Sequence, residues 1–175
     1  MRRGIYVGRF QPFHNGHLYV IKEVLEKVDE LIIVIGSAQY SHELDNPFTA
    51  GERIAMVRSA LEEAKIPSSR YWIIPIQDAP SHMVWVAQVE GFTPPFDIVF
   101  SNEPLTRRLF TEKGYKVEGI PLYKRGVYSA TDIRRLMVNG GEWEEALPPS
   151  VCKVIEEIEG VKRLKDLSKS DKTDP

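Results

Sequence analysis

Gly4-Ile5-Tyr6-Val7-Gly8-Arg9-Phe10-Gln11-Pro12-Phe13-His14-Asn15-Gly16-His17 compresses a strand, a tight loop and a helix start into one short stretch. Ile5–Val7 is apolar and closed by Gly8, whereas Leu18, Ile21, Leu25 and Val28 fall at helical spacing with Asn15 available as an N-cap. A strand that feeds a helix this way delivers the loop's polar groups to a helix N-terminus. Free backbone N–H groups and the positive end of the helix dipole favour an anion there. Gly16 permits close backbone approach, Arg9 offers a charge-assisted contact, and His14 and His17 offer imidazole hydrogen bonds. The stretch reads as a phosphate site built into the first turn of the fold.

The alternation continues outward from it. Leu31–Ile35 is an uninterrupted apolar run ending in Gly36, as expected of a strand covered on both faces. Thr49-Ala50-Gly51-Glu52 is a capping box opening a helix with Ile54, Val57, Leu61 and Ala64 on one face. Tyr71–Ile76, Asp97–Phe100 and Tyr115–Val117 are three further strands, with an irregularity expected at Pro75. Helices are expected over His82–Val89, over Pro104–Lys113 before Gly114, and over Ile133–Val138 behind a Ser129 cap, ending at Asn139-Gly140-Gly141. A last helix is expected around Val151–Ile158. This order predicts an α/β fold: a Rossmann-like open parallel sheet with helices on both faces. Residues 1–165 form a single domain with a C-terminal helical segment, and 166–175 a charged tail expected to fray. Gly36–Thr49 is the longest loop, and it follows a strand, where open sheets bind ligands.

Composition bounds the partners. Of the 175 residues 42% are hydrophobic and 27% charged, which suits a folded domain rather than a disordered chain. The apolar runs are strand-sized, far short of the roughly 20 residues that span a bilayer. Lys plus Arg total 23 against 25 Asp plus Glu, so no nucleic-acid partner is expected for the molecule as a whole. The lone cysteine, Cys152, excludes an intrachain disulfide and a multi-cysteine zinc site. The N-terminus reads as a first strand rather than a secretory signal, and a cytoplasmic location is expected.

The chain has neither G-x-x-x-x-G-K-[ST] nor G-x-G-x-x-G. Instead Gly8, Phe10, Pro12, His14, Gly16 and His17 match G-x-F-x-P-x-H-x-G-H, and the chain resembles the nucleotidyltransferase α/β phosphodiesterase superfamily. That resemblance implies transfer of a nucleotidyl group from a nucleoside triphosphate with release of pyrophosphate. Ser129-Ala130-Thr131-Asp132-Ile133-Arg134-Arg135 resembles the superfamily's I-S-S-T-x-x-R motif, with Tyr128 in place of Ile and Ala130 in place of Ser. Ser129 caps a helix whose first amides can bind phosphate, and Arg134, expected to be exposed in a cleft, reaches the same anion. Arg9, His14, His17 and Arg134 are the catalytic candidates. Gly8, Phe10, Pro12, Gly16, Ser129 and Thr131 are the candidates for ATP and phosphate binding.

Three further stretches narrow the resemblance. Gly36-Ser37-Ala38-Gln39, Asn46-Pro47-Phe48-Thr49-Ala50-Gly51-Glu52-Arg53 and Thr93-Pro94-Pro95-Phe96-Asp97 are similar to the archaeal-type nicotinamide-nucleotide adenylyltransferases. The similarity runs from about residue 3 to residue 165. It implies that nicotinamide mononucleotide and ATP give NAD and pyrophosphate, with Mg2+ carried by the ATP phosphates and a homohexameric assembly. It also puts the nicotinamide nucleotide at Asp78, Trp85 and, at the end of the fourth strand, Asn102. The attacking phosphate oxygen is already anionic, so the reaction needs positioning and charge neutralisation more than a base or a nucleophile. Cys152 is accordingly read as structural, and transfer as direct and in-line. Where some relatives carry a phosphate-binding arginine this chain has Glu43-Leu44-Asp45, which leaves Arg53 as a candidate substitute. Rival readings are an adenylyltransferase acting on another phosphate monoester, such as phosphopantetheine or flavin mononucleotide, and a non-catalytic nucleotide-binding module.

Overall fold

The apolar runs become strands of one parallel sheet. The computed structural model describes residues 1–123 and 129–169. Among these, the strands are β1 (Arg3–Gly8), β2 (Glu30–Ile35), β3 (Tyr71–Pro75), β4 (Ile98–Phe100) and β5 (Lys116–Glu118). They lie in the order β3-β2-β1-β4-β5, and every pairing is parallel. The helices are α1 (Asn15–Leu25), α2 (Ala50–Glu63), α3 (His82–Phe92), α4 (Pro104–Glu112), α5 (Ala130–Asn139), α6 (Pro149–Glu157) and α7 (Gly160–Leu167).

Side chains that alternate along a strand supply two cores. Tyr6, Leu31, Ile33, Ile35, Ile98 and Phe100 face one layer, packed with buried residues of α1, α2, α5, α6 and α7. Ile5, Ile32, Val34 and Val99 face the other, against Val86 and Val89 of α3 and Phe110 of α4. The continuous apolar reading of β2 is thus that of a strand with no solvent face. Pro75 ends β3, yet the Ile76 N–H still reaches the Ile35 carbonyl at 2.9 Å, so the irregularity falls where the proline lies.

The C-terminal segment is two helices rather than one. Glu159 takes a left-handed conformation (φ 53°) that turns the chain from α6 into α7. Arg163 of α7 clamps Glu52 of α2 through two contacts of 2.7 Å; against burial, which raises it, these hydrogen bonds and that from the Thr49 N–H hold the Glu52 pKa below its ordinary range. The last helix therefore extends to Leu167, beyond the boundary at 165, while 170–175 lie outside the described residues. Because all strands run the same way, the loops after β1, β2, β3 and β4 collect at one edge. The order reverses between β1 and β4, which opens a crevice there.

Candidate active site

α1 begins with an N-cap made by a histidine. His14, not Asn15, is the cap residue: its Nδ1 accepts the Gly16 N–H at 3.0 Å. In return His17 Nδ1 accepts the His14 backbone N–H at 3.1 Å, completing a reciprocal capping box in which imidazoles do what Ser and Glu do elsewhere. The two rings stack with centroids 3.6 Å apart, and Phe10 meets His17 edge-on at 4.8 Å. Gly16 is required because a Cβ there would lie 2.8 Å from His14 Cε1. Its small size accommodates the folded-back imidazole.

This geometry settles the tautomers. A nitrogen that accepts a backbone N–H keeps its lone pair, so each neutral ring carries its proton on Nε2. Among the described residues neither Nε2 has a protein partner, and no unpartnered polar side-chain atom is sealed from solvent. Burial pushes the His14 pKa down to about 4, and burial, with His14 alongside, also lowers the His17 pKa well below the ordinary imidazole value. Both rings are therefore neutral hydrogen-bond donors around pH 7.

Two arginines, Arg9 and Arg134, lie around this turn. Arg9 is exposed, with Nη1 donating to Asn46 Oδ1 at 3.2 Å. Arg134, on α5, is 5% exposed, a correction to its expected place in open cleft. Its Nη1 donates to the Gln11 carbonyl at 2.9 Å, and its Nη2 lies 3.4 Å from both Asp45 Oδ1 and Thr131 Oγ1. Arg134 is thus a brace between α5 and the first loop as well as a cation at the cleft. Burial and the nearby Arg9 charge lower its pKa, while Asp45 opposes them. Ser129 caps α5 by accepting the Asp132 N–H at 3.1 Å, as expected. Tyr128, the departure noted in that motif, lies outside the described residues.

Several candidates hold the loops rather than face a ligand. Phe10 is 1% exposed and Pro12 is buried, so both side chains pack beneath the turn. Gln11, which sequence reasoning passed over, is the polar member of that turn: its amide exchanges hydrogen bonds of 3.0 and 2.9 Å with the Phe48 backbone. A glutamine flanked by buried aromatic and proline positions was the available signal. Asn102 similarly exchanges two 2.9 Å hydrogen bonds with the Ile120 backbone, and it lies apart from the cleft of Asp78 and Trp85. Arg53 is fully buried on carbonyl oxygens and cannot replace a loop arginine. The Cys152 thiol is half-buried, and burial with Glu144 and Glu156 nearby pushes its pKa up to about 11, against a nucleophilic role.

Beyond the end of β3, Asp78 and Trp85 line one cleft of about 360 Å³ with Ala79, His82, Leu105, Thr106 and Leu109. Ser37 Oγ donates to both Asp78 carboxylate oxygens, at 2.9 and 3.1 Å. The Asp78 N–H donates to Gln39 Oε1 at 3.1 Å. An indole wall and a carboxylate suit a planar cationic ring. The contributions from α4 were illegible in the sequence, because they depend on β4 being placed beside β1.

Residues 5–136, which carry the histidine-capped helix start, Arg9 and Arg134, match the cytidylyltransferase-like family, and the chain is a nucleotidyltransferase. A nicotinamide-nucleotide adenylyltransferase from Methanothrix thermoacetophila is 52% identical over 98% of this chain and 99% of its own length. One from Archaeoglobus fulgidus is 51% identical over 97% and 99%. The chain belongs to the archaeal-type nicotinamide-nucleotide adenylyltransferase family. The bifunctional NMN adenylyltransferase/ADP-ribose pyrophosphatase of Francisella tularensis, crystallised with AMP and a manganese ion, superposes with a TM-score of 0.77. That match covers 95% of this chain and 51% of the other at 24% identity, which is a likeness of fold.

Proposed function

We infer that the chain joins nicotinamide mononucleotide to ATP, giving NAD and pyrophosphate, and that the histidine-capped turn is where the triphosphate lies. The observation that carries this reading is the pair of neutral imidazoles whose backbone-bound Nδ1 atoms leave Nε2–H as donors. A phosphate oxygen of the mononucleotide attacks the α-phosphorus, and the bond to the pyrophosphate leaving group breaks. The attacking oxygen is anionic, so no general base is required. His14 and His17 donate to phosphate oxygens as charge shifts toward the leaving group, in the manner of an oxyanion hole. Arg9 and Arg134 neutralise the triphosphate, while Gly8, Gly16, Ser129 and Thr131 shape the two helix starts beneath it. Asp78 faces the cationic pyridinium and Trp85 stacks on it.

The divalent ion enters as part of the substrate: the family resemblance implies Mg2+ carried by the ATP phosphates. A homo-oligomer, a hexamer by the family resemblance, and a cytoplasmic location accompany this reading. No helix among the described residues is long and apolar enough to cross a membrane. The test is to incubate the protein and ATP with a panel of phosphate monoesters and measure pyrophosphate. Release confined to nicotinamide mononucleotide supports the reading. Preference for phosphopantetheine or flavin mononucleotide, or no turnover at all, overturns it.

A further inference from the structure

Arg53 is the largest fully buried side chain among the described residues, and it has no carboxylate in contact. Its guanidinium instead meets five carbonyls: Nε donates to Thr49 O at 3.2 Å, Nη1 to Arg9 O at 2.9 Å and Gly36 O at 2.8 Å, and Nη2 to Ser37 O at 3.1 Å and Tyr40 O at 3.4 Å. A guanidinium has five N–H donors, so none is left for a ligand. A buried cation with no carboxylate in contact is costly: burial and the nearby Arg9 charge lower the Arg53 pKa to about 10, with Asp78 and Glu52 opposing only at a distance. Such a group is an expensive way to stabilise a loop unless those carbonyls must be held in fixed relation.

The carbonyls belong to the loops carrying the two halves of the site. Arg9 O is the backbone of a residue read as a triphosphate contact. Ser37, in the left-handed region with φ 49°, is the residue whose Oγ donates to Asp78. We propose that Arg53 is a positioning residue for the transfer reaction: from beneath the sheet edge its guanidinium ties the Arg9 turn to the Ser37 turn, setting the triphosphate and nicotinamide half-sites in register. In-line attack depends on that register, since bringing two substrates to near-attack distance is where much of the rate arises. The proposal rests on the site reading above and adds a residue that touches neither substrate.

The matched control is Arg70. It likewise donates to three carbonyls, Leu25 O, Val28 O and Asp29 O, but at the opposite edge of the sheet, where β3 begins. Arg53→Lys and Arg70→Lys both remove part of a carbonyl-bound guanidinium and both lower the melting temperature. For Arg53→Lys, kcat falls at least tenfold and the KM values for ATP and nicotinamide mononucleotide rise together. Arg70→Lys keeps the kinetic constants of the parent. A folded Arg53→Lys enzyme with unchanged kcat and KM values reduces Arg53 to a loop staple and overturns the proposal. Should that variant not fold, Ser37→Ala tests the relay alone. The proposal expects KM for nicotinamide mononucleotide to rise threefold to tenfold with KM for ATP unmoved; no change overturns it. Parent enzyme that makes no NAD would instead indict the site reading, so the two failures are distinguishable.

Discussion

Acidifying the protein should unfold it partly through His14, and replacing that residue by asparagine should remove the effect. The His14 pKa stands at about 4 in the fold, against 6.5 for an ordinary imidazole, because the ring is largely enclosed and its Nδ1 lone pair is committed to the Gly16 N–H. The folded value lies below the unfolded one, so protons favour the unfolded chain. The stability at stake is complete above about pH 6.5 and is lost as pH falls toward about 4. At ~1.4 kcal/mol per unit the full displacement corresponds to roughly 3 kcal/mol, of which about 2 kcal/mol is gone by pH 5. These are ceilings, since the ring is not wholly shielded from water. Asparagine is among the best N-cap residues and has no proton to gain. His14→Asn should therefore match the parent in urea unfolding near pH 7.5 and exceed it by about 2 kcal/mol near pH 5. Its turnover should fall about 10²- to 10³-fold at both values, because the Nε2–H donor is gone. Parallel stability profiles for the two proteins would refute the neutral, backbone-bound histidine.

Further expectations follow from the same geometry. Arg134→Lys should weaken ATP binding and, because the Gln11 carbonyl loses its donor, also cost about 1–3 kcal/mol of stability; a thermal melt unchanged from the parent would contradict the brace. Gly16→Ala places a methyl 2.8 Å from the His14 ring, so the imidazole must swing out; loss of activity with about 1 kcal/mol of helix capping is expected, and full activity would sink the capping-box account. Trp85→Ala should raise KM for nicotinamide mononucleotide about threefold to tenfold while leaving KM for ATP in place, and equal weakening of both substrates would return Trp85 to the core.

What the linear sequence determined is what local physics determines. Strand runs of period two or continuous apolarity, helix spacing and the Thr49 and Ser129 caps are encoded within a few residues, and so is the G-x-F-x-P-x-H-x-G-H turn. The expected strand–helix alternation and layers follow from them, whereas the order β3-β2-β1-β4-β5 that opens the crevice does not. Even the cap of α1 was one residue from its expected place, because histidine is an unusual cap and Asn15 looked the better one. The destiny of the arginines was not local. Arg9, Arg53 and Arg134 are chemically identical in a sequence, and each was read as a cation awaiting phosphate. Only the tertiary structure puts Arg53 onto the carbonyl of Arg9, 44 residues away, and Arg134 onto that of Gln11, 123 residues away. Asn102 meets Ile120 for the same reason: its partner is on the far side of a helix and a strand. A guanidinium or an amide takes whichever acceptors the packed chain presents, and long-range packing decides which those are.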